Sequence, residues 1–192
     1  MDNNLDELKK KGYEFYCSGQ YENALECYRE ILKDEPLNCV NYCNLGLAYH
    51  ALNDVKNAYD SYYSALNINP CYLPAINNIG ILYFEANEID RAVEMFKRAI
   101  ETDSGNPEAY HYLGIINREC FEDFELSELY LKRAISLDTL HLQNYTELAK
   151  TYIKFGEKEK AKLALKIALE IDSEQTTAKE LLKNLSEDDK PL

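Results

Sequence analysis

Four glycines, Gly12, Gly46, Gly80 and Gly114, recur every 34 residues along a chain of 192. One further step, lengthened to 35 residues, reaches Ala149, again a small side chain. Self-similarity at this period marks an array of small supersecondary units rather than one globular core. Other positions keep the step. Ala24, Ala58, Ala92 and Ala161 follow the small residue at a constant distance, and Ser127 holds the same place in the fourth unit, displaced by one extra residue. Further on come Ile31, Ala65, Ala99, Ala134 and Ala168, with bulky Tyr28, Tyr62, Phe96, Leu131 and Leu165 between.

Within each half of the period, apolar residues recur three or four apart, which defines one face of an α-helix. Small residues at fixed places let two helix backbones approach, and the large residues fill the space beside them. A single helix pair of this kind cannot bury its apolar face alone, so the pairs must stack. The pattern predicts helices over 4–18 and 21–34, 39–52 and 55–68, 73–86 and 89–102, 107–120 and 124–137, 142–155 and 158–171. Pro36 and Pro70 stop second helices. Asp54 reads as an N-cap, and Gly105, Asn106 and Pro107 as a C-terminal glycine, an N-cap and a first-turn proline. Thr177 and Glu180 have capping-box spacing before a final helix over 176–186. This helix is expected to cover the last apolar face, and 187–192 to be a disordered tail.

The segment YCNLGLAYHALNDVKNAYDSYYSALNINP, from Tyr42 to Pro70, and INNIGILYFEANEIDRAVEMFKRAIETD, from Ile76 to Asp103, closely resemble the tetratricopeptide repeat. The likeness extends over roughly residues 5–175. It implies an all-α fold, a right-handed superhelical α-solenoid of antiparallel helix pairs. The whole chain, 1–192, then reads as a single array, with repeats at about 5–38, 39–72, 73–106, 107–141 and 142–175. Lys11 stands where the family prefers an apolar residue, and Asn117 replaces the usual aromatic. The extra residue of the fourth unit is expected near Phe121 to Phe124, as a local irregularity.

Composition narrows the function. A formal net charge of -13 lacks the basic stripe that phosphate neutralisation needs and opposes adhesion to anionic membrane. The N-terminus, MDNNLDELKK, has no basic stretch followed by an apolar run, and no segment approaches the roughly 20 apolar residues of a membrane span. Cys17, Cys27, Cys39, Cys43, Cys71 and Cys120 show no framework spacing and read as free thiols of a cytoplasmic protein. His50, His111 and His141 have no nucleophile placed beside them, no phosphate-binding glycine loop is present, and no metal-ligand spacing appears. We therefore expect no enzymatic activity, no cofactor and no metal.

The resemblance instead implies protein binding on the face lined by the first helix of each repeat. Residues expected there, in repeat order, are Lys9, Tyr13 and Tyr16; Cys43, Asn44, Leu47 and His50; Asn77, Asn78, Ile81 and Phe84; His111, Tyr112, Ile115 and Arg118; and Thr146, Glu147 and Lys150. Asn44 and Asn78 occupy the same place in consecutive repeats, two residues before the glycine. A carboxamide both donates and accepts, so it can hold a peptide unit whatever its side chain. The arrangement resembles the asparagine ladder of O-linked N-acetylglucosamine transferases. Tyr13, Tyr16, Leu47, Ile81, Phe84, Tyr112 and Ile115 would supply apolar anchors, and Lys9, Lys10 and Arg118 would select an acidic ligand residue. The carboxylate clamp of co-chaperones is matched only at Lys9 and Asn44, because Tyr13, Pro74 and Asn78 stand where its other members would be. The leading expectation is an adaptor or scaffold holding a peptide segment of a partner protein. The alternatives are a structural subunit bound through its convex face or ends, or a regulatory arm of an enzyme on another chain.

Overall fold

The computed structural model describes residues 2–187, and these form helices with no strand among them. They divide into two compact units, 2–102 and 103–187. The first unit holds three antiparallel pairs: α1 (Asp2–Cys17) with α2 (Tyr21–Asp34), α3 (Cys39–Ala51) with α4 (Val55–Ile68), and α5 (Leu73–Glu85) with α6 (Ile89–Thr102). The second unit begins with α7 (Pro107–Ile116), which runs into a π turn at Asn117–Phe121 before α8 (Phe124–Leu137). It continues with α9 (Leu142–Lys154), α10 (Lys158–Ile171) and a last helix, α11 (Thr176–Glu187). Of the tail expected to be disordered, 188–192 lie outside the described residues.

The recurring small residues do what their spacing requires. Gly12, Gly46, Gly80 and Gly114 each face the bulky residue of the second helix of their own pair. A β-carbon added to Gly46 would lie 2.5 Å from the Tyr62 ring, and one added to Gly114 would lie 2.5 Å from Leu131 Cγ. Both distances are far inside normal contact. Tyr62, Phe96, Leu131 and Leu165 are fully buried, and burying such a side chain contributes about 2 kcal/mol. In the first unit Ala24, Leu25, Tyr28, Ile31, Leu45 and Ala48 form one continuous cluster. In the second, Leu131, Leu148, Ala149, Tyr152, Leu165 and Ala168 pack with Ala178 and Leu185 of α11.

Tyrosines at the place three residues after the small residue tie the second, third and fifth repeats to the one before. Arg29 donates from Nη2 to the Tyr49 hydroxyl at 2.6 Å, with its guanidinium 5.5 Å over the ring. The hydroxyls of Tyr63 and Tyr83 lie 2.9 Å apart. In the second unit Tyr152 donates to Glu128 at 2.7 Å. Burial and the bond to Glu128 both hold the Tyr152 phenol above its ordinary pKa. Asn117, at the equivalent place, is buried and donates from Nδ2 to the Leu113 carbonyl at 2.7 Å.

The helix ends differ in part from the sequence expectation. Asp54 caps α4 by accepting the Asn57 N–H, and Asn106 caps α7 by accepting those of Glu108 and Ala109. Gly105 does not close α6 in a left-handed conformation. It donates its N–H to Asp103 Oδ1 at 2.8 Å within the following turn. The cap of α11 is Gln175, whose Oε1 accepts the Ala178 N–H at 2.6 Å, rather than Thr177. The longer amide side chain reaches that N–H from one residue before the helix.

The turn inside each repeat uses a left-handed residue, and these residues themselves recur: Gly19, Asn53, Asn87, Glu122 and Gly156. Glycine and asparagine tolerate this conformation readily, whereas glutamate does not. The extra residue of the fourth repeat lies in the π turn, which ends at Phe121, the first residue of the stretch where it was expected. The N–H groups of Glu122 and Asp123 both reach back to the Asn117 carbonyl. One additional residue is thereby held inside the helix as a wider turn.

Candidate functional site

The first-helix face of the first unit is largely apolar and lightly hydrogen-bonded. Tyr13 is 66% exposed, whereas Asn44, Leu47, Asn78, Ile81 and Phe84 are half-buried. Asn44 has no hydrogen-bond partner among the described residues. Asn78 donates from Nδ2 to Cys43 Sγ at 3.7 Å, a weak contact that leaves its carbonyl oxygen uncommitted. Cys43 and Asn77, expected on this face, are buried beneath it. His50 Nε2 lies 2.7 Å from Glu85. Lys9 is not a free cation. Its ammonium donates to Glu35 at 2.6 Å, and Asn38 and Asn41 donate to the other oxygen of the same carboxylate. Lys9 and Asn41 together hold the Glu35 carboxyl below its ordinary pKa.

The corresponding face of the second unit is polar and already internally paired. Arg118, expected to meet a ligand carboxylate, is only 4% exposed. Its Nη1 donates to the Glu147 carbonyl at 2.9 Å, its Nη2 to Glu147 Oε2 at 2.6 Å, and its Nε to Glu119 at 2.6 Å. Its own carbonyl accepts from Lys154 at 2.7 Å. All three of its guanidinium nitrogens are thus engaged inside the unit, which is why it is not available to a ligand carboxylate. Burial pushes the Glu147 carboxyl up, but the hydrogen bond from Lys150 and the charge of Arg118 outweigh it and leave the group below its ordinary pKa. Thr146 is buried, and Tyr112 and Ile115 are half-buried.

Two adjoining hollows open on this face. One, of about 150 Å³, is lined by Pro107, Glu108, His111, Tyr112, Asp138, His141, Gln143 and Asn144. The other, of about 270 Å³, shares His111 and Gln143 and continues along Thr146, Glu147, Lys150, Gln175 and Thr177. His111 Nδ1 lies 2.7 Å from Asn144 Oδ1, and its ring stands edge-on to those of Tyr112 and His141. Desolvation depresses the His111 pKa more than the bond to Asn144 raises it, which favours the neutral ring. Sequence reasoning placed His111 and Tyr112 on this face but missed Asp138, His141 and Asn144. These lie in a connection and a first turn where no helical pattern points.

No group of three or more histidine, cysteine or acidic residues is placed to hold a metal ion among the described residues. The six cysteines are free thiols. No helix among the described residues is long and apolar enough to cross a membrane.

Stacked antiparallel pairs with a small-to-large contact in each define an α-solenoid of two-helix repeats. Models of the tetratricopeptide repeat match residues 12–53, 41–70, 75–102 and 142–175, together well over half of the chain, which therefore belongs to the tetratricopeptide repeat family. Among solved structures, PilF of Pseudomonas aeruginosa is similar at 18% identity and a TM-score of 0.83, over 97% of this chain and 84% of that one. A MamA protein is similar at 20% identity and a TM-score of 0.66, over 91% and 95% of the two chains. The hetero-tetramer Cut9–Hcn1 of the APC/C is similar at 18% identity and a TM-score of 0.80, over 91% of this chain and 35% of that one. At such identities the likeness concerns the fold. No curated protein matches the chain in sequence.

Proposed function

We propose that the chain is a non-enzymatic protein-interaction module that holds a peptide segment of a partner on the first-helix face of α3 and α5. The observation that carries this reading is the pair Asn44 and Asn78. They sit one repeat apart at the same register, half-buried, with at least three of the four oxygen and amide-hydrogen groups of the pair's carboxamides uncommitted to strong bonds. A peptide backbone offers the complementary N–H and C=O groups, and Leu47, Ile81 and Phe84 beside them give its side chains apolar contact. Lys9 and Arg118 have no part in this reading, because each already holds an internal carboxylate.

The test is a pull-down from source cells with the wild type beside an Asn44→Ala, Asn78→Ala variant, with helicity checked by circular dichroism. Captured partners are then reduced to synthetic segments and titrated against both proteins. Partners that bind the wild type and are lost from the folded variant support the reading, and identical partners on both reject it.

A second reading has one observation in its favour. At the exposed place two residues after the small residue of the second helix, the first three repeats carry Glu26, Asp60 and Glu94, whereas the last two carry Leu129 and Leu163. Both leucines are well exposed. An outer apolar surface on the second unit suits a subunit that docks into an assembly through its convex side. Aspartate substitutions at both leucines would abolish such an association and leave the Asn44 and Asn78 face unaffected.

A further inference from the structure

The smaller hollow of the second unit has a composition that selects its occupant. Among its eight lining residues are two carboxylates, Glu108 and Asp138, and no lysine or arginine. His111 and His141 also line it, and burial of His111 favours its neutral form. An anion placed there would meet two like charges and no lysine or arginine. A purely apolar group would strip water from two carboxylates and two carboxamides without replacing their hydrogen bonds, which is unfavourable.

A planar cation meets both conditions. A guanidinium presents five N–H donors in a fixed fork, matched to carboxylate and amide oxygens, and its faces stack on aromatic rings. The hollow offers those partners in one place. Glu108 and Asp138 supply charge, Gln143 supplies a carboxamide oxygen, and Tyr112, His111 and His141 supply rings. The rings of His111 and Tyr112 have centroids 5.3 Å apart and lie nearly perpendicular, as do those of His111 and His141 at 6.1 Å. Perpendicular rings form the corner of a box in which a flat group can lie on one face and meet the edge of another. A volume of about 150 Å³ accommodates the end of one side chain and not a folded element. The larger hollow beyond His111 and Gln143 gives the adjoining peptide backbone a polar path along Thr146, Gln175 and Thr177.

We propose that this hollow is a specificity pocket for an arginine side chain of a bound peptide. The inference rests on the chain being a peptide binder, but it concerns a different unit from Asn44 and Asn78 and can be read without the natural partner. The expected ligand is thus basic at one position, the reverse of the acidic selection that Lys9 and Arg118 suggested from the sequence.

The experiment is an NMR titration of the full-length, ¹⁵N-labelled protein with the blocked tripeptide acetyl-Gly-Arg-Gly-amide. The probe is compared with its citrulline counterpart, which keeps the shape and loses the charge. The pocket requires saturable shifts confined to the backbone amides around 108–112 and 138–144, with at least tenfold weaker binding of the citrulline peptide. A Glu108→Gln, Asp138→Asn variant is expected to weaken the arginine peptide at least tenfold. The carboxamide introduced at position 138 keeps an oxygen for the Leu140 N–H that Asp138 now accepts at 3.2 Å, so the turn is retained. Should the variant fail to fold, the arginine–citrulline comparison on the wild type decides alone. Absence of saturable shifts at these amides, equal binding of both peptides, or full binding by the folded variant each overturns the proposal. If the arginine peptide binds here while natural partners survive the Asn44→Ala, Asn78→Ala change, the pocket stands and the asparagine reading falls.

Discussion

Replacing Gly46 with alanine sets two known effects against each other. In an ordinary exposed helix the change is favourable by about 1 kcal/mol, because alanine loses less backbone freedom on folding. Here the new methyl would lie 2.5 Å from Cε1, 2.6 Å from Cδ1 and 3.0 Å from Cζ of Tyr62. Normal carbon contacts begin near 3.5 Å, so the ring or the helix must yield by about 1 Å. The ring is wholly buried and rigid, leaving little room to turn. Overpacking of this kind costs about 1–3 kcal/mol, and several close contacts on a stiff ring place Gly46 toward the upper end. The expected net effect is a loss of about 1–2 kcal/mol, or roughly 3–6 °C in Tm for a chain of this length. Gly12→Ala is the internal control, since its β-carbon would come no closer than 3.0 Å to the partner ring. It should be near neutral. Thermal and urea unfolding followed by circular dichroism measure both, and Tyr62→Leu in the Gly46→Ala background should recover part of the loss. If Gly46→Ala stabilises the protein as a solvent-facing glycine would, the close approach of α3 and α4 is not what fixes glycine at this position.

Other outcomes follow from the same physics. Glu122 holds a left-handed conformation at φ 54°, so Glu122→Gly should stabilise the protein by about 1 kcal/mol, read as a higher urea midpoint. Its distant contact with Lys154 at 3.7 Å is too exposed to offset that gain. Glu147→Ala leaves Arg118 buried without its main partner and should cost about 3–5 kcal/mol, whereas the paired change Arg118→Met, Glu147→Leu should cost much less; a double-mutant cycle in urea tests this. Burial lowers the His111 pKa, so the unfolded chain binds a proton there before the folded one does. Stability should therefore fall as pH drops from 7.5 through the ordinary histidine range, and His111→Gln should flatten that decline in urea midpoints. The Glu147 carboxyl is also depressed, so its contribution is present above the ordinary carboxylate pKa and lost as pH falls through the lower folded value.

The repeat and its helices were legible because a buried contact such as Gly80 against Phe96 imposes its residue types at every period. The first-helix face was legible only as a list of positions. Burial removed Cys43, Asn77 and Thr146 from it, and pairing removed Lys9 and Arg118. A helical pattern tells which way a side chain leaves its own axis, not whether a carboxylate on the next helix is waiting for it. The left-handed turn positions were present in the sequence at the same period, as Gly19, Asn53, Asn87 and Gly156, and a search for residues tolerant of positive φ would have found them. Glu122 hid the series by breaking its chemistry. The hollow beside His111 draws on two helices and the connection between α8 and α9, so no local signal encodes it.

The widened turn at Asn117–Phe121 confines the consequences of an insertion. An α-helix carrying one extra residue would ordinarily present every later side chain about 100° out of phase. Here the phase error is spent within five residues. Asp123 then accepts the Leu126 N–H at 2.9 Å, just as Asp54 accepts that of Asn57 in a repeat of standard length, and Ser127 arrives fully buried where an alanine sits elsewhere. The extra residue of the fourth repeat is thus absorbed before the next helix begins, at a turn whose Asn117 and Arg118 are themselves buried.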